Sequence, residues 1–163
     1  MTTDPSEHIT SAGPSENIEI RAPRTPADYQ AYYAFRWEIL RKPHYKSKGS
    51  EKDENEASAH HLMAQTDAGD IVGVGRIHIR EDGIAQVRYM AVHPEFERRG
   101  LGRKILNALE TQICSIHRSC TIELNSRDTA VPFYEKCGYT VQAPGHRLFG
   151  IIPHTVMNKT IHC

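Results

Sequence analysis

The chain contains no apolar run approaching the ~18–20 residues that a membrane-spanning helix requires, so a membrane partner is not expected. Its first residues lack an apolar export core, so export is not expected either. There is no excess charge of either sign: 20 Lys and Arg balance 20 Asp and Glu. A neutral whole does not favour nucleic acid as a partner. Cysteine is sparse, and Cys114, Cys120, Cys137 and Cys163 show no C-x-x-C spacing. They fall in or beside regular elements, which suits reduced thiols in a cytoplasm. The ten histidines include no H-x-x-x-H pair. His60 and His61 are adjacent on a strand and face opposite ways, so no metal site is expected. Repeats and low-complexity tracts are absent as well.

A chain of 163 residues is long enough for one domain with a real core. Residues 1–17 are rich in Ser, Thr, Pro and Gly and read as a disordered leader, which leaves 18–163 as the folded domain. Ile18 to Ala22 alternates and predicts a first strand. Thr25-Pro26 is a helix start, a capping hydroxyl followed by proline at the first helical position, and Pro43 ends that helix after about Arg41. His44 to Ser58 is charged and glycine-containing, and reads as a mobile lid or a floppy connection. Strands follow at 61–65, 71–80 and 84–92. Glu81-Asp82-Gly83 predicts a three-residue hairpin turn with glycine in the left-handed position. That register opposes Arg76 to Arg88 and His78 to Gln86 on one face, and Ile77 to Val87 and Ile79 to Ala85 on the other. A helix over 103–115 leads to a strand at 121–125. A short helix capped by Asp128 or Thr129 runs through Lys136, and last strands lie at 139–141 and 154–160. Strands alternating with helices give an α/β domain around a mixed, mostly antiparallel sheet.

The most informative stretch is Val92-His93-Pro94-Glu95-Phe96-Glu97-Arg98-Arg99-Gly100-Leu101-Gly102-Arg103-Lys104. An apolar strand ends there in a proline-marked turn, and a basic, glycine-punctuated loop opens a helix. Backbone N–H groups at a helix start lack internal partners, and the helix dipole adds positive potential. Glycine lets a phosphate approach, and Arg98, Arg99, Arg103 and Lys104 add charge. The loop therefore suits a pyrophosphate. A nucleotide-hydrolase loop would need G-x-x-x-x-G-K-[ST], and its first glycine and its Lys-Ser/Thr pair are missing. A dinucleotide fingerprint would need a third glycine where Ile105 stands. A coenzyme A loop, x-x-x-G-x-G at a strand-to-helix junction, is the third reading.

This run resembles the central motif of the GNAT acyltransferase superfamily, Q/R-x-x-G-x-G/A after a V-x-P strand end. Ala130-Val131-Pro132-Phe133-Tyr134-Glu135-Lys136-Cys137-Gly138-Tyr139 resembles that family's second signature, A-x-x-F/L-Y-x-K-x-G-F/Y. Glu97 departs from the pattern at the Q/R position, where Arg98 and Arg99 compensate. The resemblance spans Ile18 to about Ile161. Arg36-Trp37, Leu40 to Pro43 and Gly49 to Asp53 are similar to the GNAT half of a bacterial protein that also carries a thioesterase-like domain. Ile152-Pro153-His154-Thr155-Val156-Met157 is similar to the I-P-H-x-x-M tail of a small bacterial subfamily.

The resemblance implies a GNAT fold with helices on both sheet faces and a splayed central strand pair. It implies a cytoplasmic enzyme that moves an acetyl group from acetyl-CoA to a primary amine of a small molecule or peptide, by direct attack in a ternary complex, with no metal. A homodimer is left open. Arg98, Arg99, Gly100, Leu101, Gly102, Arg103 and Lys104 would hold the diphosphate. Met90, Ala91 and Val92, with Asn125, would pair with pantetheine as an added strand does. Tyr134 matches the family's usual general acid, protonated at neutral pH and able to serve a departing thiolate. The family's acid on the fourth strand is replaced by Arg88, so a proton acceptor is sought among Glu123, His78 and Glu38, with Glu123 preferred. Arg76 and Arg88, if they face the cleft, would favour an acceptor bearing a carboxylate; otherwise they pair with acids such as Glu95 or Glu97. Cys137 falls at a helix end and is not expected to act as a nucleophile. The other readings are a non-catalytic acyl-CoA sensor and an interaction module using the leader and the 44–58 segment.

Overall fold

A computed structural model describes residues 17–163, so the leader expected over 1–17 lies, apart from Asn17, outside the described residues. Among the described residues, seven strands and three α-helices follow one another: β1 (Ile18–Arg21), α1 (Pro26–Leu40), β2 (His60–Thr66), β3 (Ile71–Ile79), β4 (Ala85–Val92), α2 (Leu101–Cys114), β5 (Ser119–Arg127), α3 (Val131–Lys136), β6 (Thr140–Leu148) and β7 (Ile152–His162). They form one mixed sheet in the order β1-β2-β3-β4-β5-β7-β6. Only β4 and β5 run parallel; the other pairs are antiparallel.

Local chemistry sets the ends of α1. The Thr25 hydroxyl accepts from the Asp28 N–H at 3.1 Å, and Pro26 opens the helix. The β3–β4 hairpin has the register that alternation requires: Arg76 faces Arg88, Ile77 faces Val87, His78 faces Gln86 and Ile79 faces Ala85. Its turn closes through the Arg80 N–H donating to the Ile84 carbonyl at 2.9 Å, with Gly83 at φ +82°.

α2 packs on one sheet face over Leu62, Ala64, Ile77 and Val87, and inserts Ile105, Leu106, Leu109 and Ile113. Glycines on β3 allow this approach: a methyl group at Gly73 would lie 2.7 Å from Ile105 Cδ1, and one at Gly75 would lie 2.8 Å from Ile105 Cγ2. α1 covers the opposite face over Met63, Val74 and Ala91. α3 joins the α2 side through Tyr134 and Cys137. Tyr139, Glu110 and Lys159 bind these parts: the Tyr139 hydroxyl donates to Glu110 at 3.0 Å, and Lys159 Nζ donates to Glu110 and to the Cys137 carbonyl.

Four expectations are corrected. Neither Asp128 nor Thr129 caps α3; a 3-10 turn over Asp128–Ala130 precedes it, and the Asp128 carboxylate accepts from the Thr155 hydroxyl at 2.8 Å instead. β6 and β7 are much longer than the expected 139–141 and 154–160, because β6 is an irregular edge strand with register shifts that hide its periodicity. Cys114 and Cys163 are disulfide-bonded rather than reduced: the β5–β7 ladder brings the C-terminal residue back beside the end of α2, with Cα atoms 5.4 Å apart. Cys120 and Cys137 are free and buried. The 44–58 segment is not a floppy connection, since buried ion pairs fasten it to the sheet as set out below.

Candidate active site

The helix start keeps its donors available. Gly100 occupies the position before α2 with φ +76°, which suits a residue without a side chain, and a methyl group there would meet nothing within 4 Å. The Lys104 N–H makes the first helical bond, to the Gly100 carbonyl at 3.1 Å. Among the described residues, no protein oxygen accepts from the N–H groups of Arg98, Arg99, Gly100, Leu101, Gly102 or Arg103. Leu101 anchors the turn in the core, while Arg98, Arg99, Arg103 and Lys104 stay exposed. A methyl group at Gly102 would lie 3.3 Å from Phe133 Cζ, so this glycine permits α2 and α3 to approach. The result is a row of outward donors under positive charge, the arrangement a diphosphate needs.

β4 and β5 pair only over Ala85–Val87 and Ile122–Leu124 and then part. The parting coincides with a bulge, where one β3 residue faces both Tyr89 and Met90, and Tyr89 takes φ +57°. Between the diverging strands lies a cleft of about 380 Å³. β4 contributes Gln86 to Met90, β5 contributes Leu124 to Arg127, α3 contributes Tyr134, α1 contributes Leu40 with Arg41 at its end, and β6 and β7 contribute His146, Leu148 and His154. Met90 and Asn125 therefore stand on facing walls, whereas Ala91 and Val92 continue β4 toward the helix start.

Tyr134 is buried at the cleft wall, its hydroxyl without a protein partner among the described residues, and burial pushes its pKa well above the ordinary phenol value. It is held as a neutral phenol. Glu123 does not line the cleft; its carboxylate accepts from Arg80 at 2.8 Å. His78 is buried, with Nδ1 3.3 Å from Arg76 Nη2, and Glu38 is exposed near Lys42 at 3.7 Å. His154 lines the cleft, and its Nδ1–H donates to the Ile152 carbonyl at 2.9 Å, which leaves Nε2 with a free lone pair. The His146 ring stacks on it at 5.2 Å with 7° between planes. Burial, with His146 and Arg127 adding, lowers the His154 pKa against the Ile152 hydrogen bond, so the ring is neutral near pH 7. The Cys137 thiol is pushed up by burial, which disfavours a thiolate nucleophile.

Arg76 does not line the cleft. It is fully buried and donates to Asp53 at 2.6 Å and 2.9 Å and to Glu56 at 2.7 Å. Arg88 lines the cleft and donates to Asp53 at 2.8 Å. The pairing is thus with acids of the 44–58 segment, not with Glu95 or Glu97. Arg36 completes the cluster, donating to Glu56 at 2.8 Å and to the Glu51 carbonyl at 3.0 Å. Burial raises the Asp53 pKa, but the Arg76 hydrogen bonds and nearby charges outweigh it and hold the carboxyl at about 2.

The histidine stack and the cationic end around Arg41 and Arg127 had no sequence signature. His154 stood in a quoted tail motif, but its partner arrives only through β6–β7 pairing.

This strand-and-helix order, the parted β4–β5 pair and the donor row at α2 define a GNAT architecture. A family model for the acetyltransferase (GNAT) domain matches residues 33–161. An uncharacterized N-acetyltransferase, YjcF of Bacillus subtilis, is 33% identical over 129 residues, covering 79% of this chain and 89% of its own. The chain belongs to the GNAT acetyltransferase family. Solved structures share the fold. An acyl-CoA N-acyltransferase from Pseudomonas aeruginosa superposes with a TM-score of 0.72 at 17% identity, over 89% of this chain and 99% of that one. An aminoglycoside 6'-N-acetyltransferase complexed with coenzyme A superposes with a TM-score of 0.69 at 17% identity, over 88% and 96%. No described helix is long and apolar enough to cross a membrane.

Proposed function

We propose that this protein transfers the acetyl group of acetyl-CoA to a primary amine of a small molecule or peptide, by direct attack while both substrates are bound. The observation that carries this reading is one continuous path along β4. Unpartnered N–H groups at the α2 start lie at one end, and the cleft between β4 and β5 lies at the other. Arg98 to Lys104 would hold the diphosphate, with backbone donors from Gly100, Leu101 and Gly102. Met90, Ala91, Val92 and Asn125 would take the pantetheine amides. Use of that co-substrate supports a cytoplasmic home, although the Cys114–Cys163 disulfide speaks for an oxidising one.

The acceptor enters as an ammonium ion and must lose a proton before it attacks. Glu123 is spent on Arg80, so the role passes to the cleft-lining His154, whose Nδ1 is used by the Ile152 carbonyl and whose Nε2 is left as a neutral base. The free amine attacks the thioester carbonyl carbon, the carbon–nitrogen bond forms and the carbon–sulfur bond breaks. Tyr134 donates a proton to the departing thiolate and recovers one from the nitrogen.

The test is release of free thiol from acetyl-CoA across an amine panel, with His154→Gln alongside the wild type. Amine-dependent release that drops by about two orders of magnitude in the variant is expected for a lost proton acceptor. In the wild type the rate should rise as pH climbs through a value below the ordinary histidine range. Tight CoA binding without turnover of any amine would favour an acyl-CoA sensor on the same fold.

A further inference from the structure

We infer that the acceptor carries an anionic group, a carboxylate or a phosphate, which docks on Arg41 at the end of α1 with Arg127 beside it. This rests on the acyl-transfer reading and names the substrate class it leaves open. Three arginines in this region are buried, and the fold treats them differently. The carboxylates of Asp53 and Glu56 match Arg36 and Arg76, with the Glu51 carbonyl as a further acceptor for Arg36. Arg41 is only 6% exposed and lines the cleft, yet no carboxylate or carbonyl of the described residues accepts from its guanidinium. Its Nε is buried without a partner, as are those of Arg36 and Arg76, but those two arginines spend their Nη groups on acids and Arg41 does not. Its neighbours are aromatic faces, Phe149 at 5.2 Å and Tyr89 at 5.7 Å. These brace a guanidinium and do not neutralise it. An unmatched buried charge is costly to keep, and its oriented fork suits two oxygens of one anion.

The surroundings share that sign. Arg127, half-buried on β5, lines the same cleft and stands opposite His154 in the β5–β7 ladder. Burial, and then the charges of Arg127, Arg41 and Lys46, depress the His44 pKa, so four cationic or basic groups gather at this end. Arg88 on the β4 wall is engaged by Asp53, and Asp128 accepts from Thr155. Asp128 keeps its charge beside the His154 end of the cleft, and no ion pair joins it to Arg41 or Arg127 among the described residues. The diphosphate cannot be the missing anion. Its donors lie at the start of α2, on the sheet face opposite α1. An anion on Arg41 and Arg127 would sit near His154 Nε2, so the amine and the negative group of the acceptor fall within one short cleft.

The experiment compares amines that differ only in the anion: β-alanine against propylamine, 6-aminohexanoate against hexylamine, and O-phosphoethanolamine against ethanolamine. Acetyl-CoA is the donor and the full chain the enzyme. In the wild type at least one anionic member exceeds its neutral partner in kcat/KM by about tenfold or more, the size of one charge-assisted contact. Arg41→Gln brings that ratio toward one, Arg41→Lys restores part of it, and Arg127→Gln reduces it independently. The affinity for CoA, read by calorimetry, is the same in all four proteins. Carboxylate and phosphate pairs separate the two sources of the anion. Equal ratios in the wild type would overturn the inference, as would a loss of CoA affinity in Arg41→Gln, which would give the arginine to the co-substrate. Should no amine react at all, the acyl-transfer reading fails. The anion site is still decided by whether β-alanine or O-phosphoethanolamine raises the melting temperature of the wild type and not of Arg41→Gln. No shift overturns it.

Discussion

Arg76 and Arg88 stand directly opposite each other across β3 and β4, and both donate to the carboxylate of Asp53, at 2.6 Å and 2.8 Å. Two like charges facing across a ladder repel. Asp53 turns that repulsion into a clamp, and Glu56 extends it to Arg36. The 44–58 segment has few apolar side chains to bury, and it is held by charge instead.

Replacing Asp53 by Asn should therefore loosen more than one contact. It leaves Arg76 buried with half its carboxylate partners and removes the one acid that pairs with Arg88 among the described residues. A loss of about 3 kcal/mol is expected, at the low end for breaking a buried pair because Glu56 remains. Chemical denaturation measures it, and faster amide exchange confined to 44–58 should accompany it. A change below about 0.5 kcal/mol, the range of ordinary surface substitutions, would show that the clamp is not what holds the segment.

The same carboxyl sets an acid limit. Its folded pKa is held near 2, below the unfolded value of about 3.9. Its contribution is complete above about pH 4 and disappears as pH falls through about 2. Trp37 reports on the segment directly, because its indole N–H donates to the Lys46 carbonyl at 3.0 Å. Trp37 emission should shift between pH 4 and 2 in the wild type, and Asp53→Asn should show the shifted emission already at pH 7.

Gly100→Glu places a carboxylate and a side chain where the helix-start donors point outward. Nothing blocks the side chain sterically, so the fold should lose only about 1 kcal/mol for the left-handed backbone. CoA affinity should fall beyond measurement by calorimetry. Unchanged affinity would remove the diphosphate assignment.

Tyr134→Phe keeps the packing against Phe133 and Tyr139 and deletes the hydroxyl. Turnover should fall by about two orders of magnitude while the apparent affinity for acetyl-CoA changes little. Because burial raises this phenol's pKa, no loss of activity from its ionisation should be seen up to about pH 10. Equal turnover in the variant would assign Tyr134 to packing alone.

Cys114→Ser opens the link that joins residues 49 apart in sequence. Loop-closure entropy puts the loss at about 4 kcal/mol for the oxidised protein. Reducing the wild type should reproduce the drop in melting temperature, and reduction should leave the variant unchanged.

Much of the frame could be read from one strand of reasoning at a time. Alternating side chains and Gly83 set the β3–β4 register to the residue. Thr25 and Pro26 set the start of α1. The glycine and arginine run announced the helix start that follows β4. These are local effects, in which a few neighbouring residues decide backbone angles and unpaired donors. The bulge at Tyr89 was hidden because an aromatic residue with positive φ carries no turn signature. The long edge strand β6 was hidden by its own register shifts.

By itself the sequence determined where the chain turns, which faces are apolar and where backbone donors stand exposed under positive charge, since all three follow from residues within a turn or a strand of each other. Only the tertiary structure decided which charges are spent. It gave Arg76 to Asp53, Glu123 to Arg80 and Cys114 to Cys163, stacked His146 on His154, and left Arg41 buried and unmatched. Those pairings join residues far apart in the chain, and a charge's worth depends on the desolvated partner it meets rather than on its neighbours in sequence.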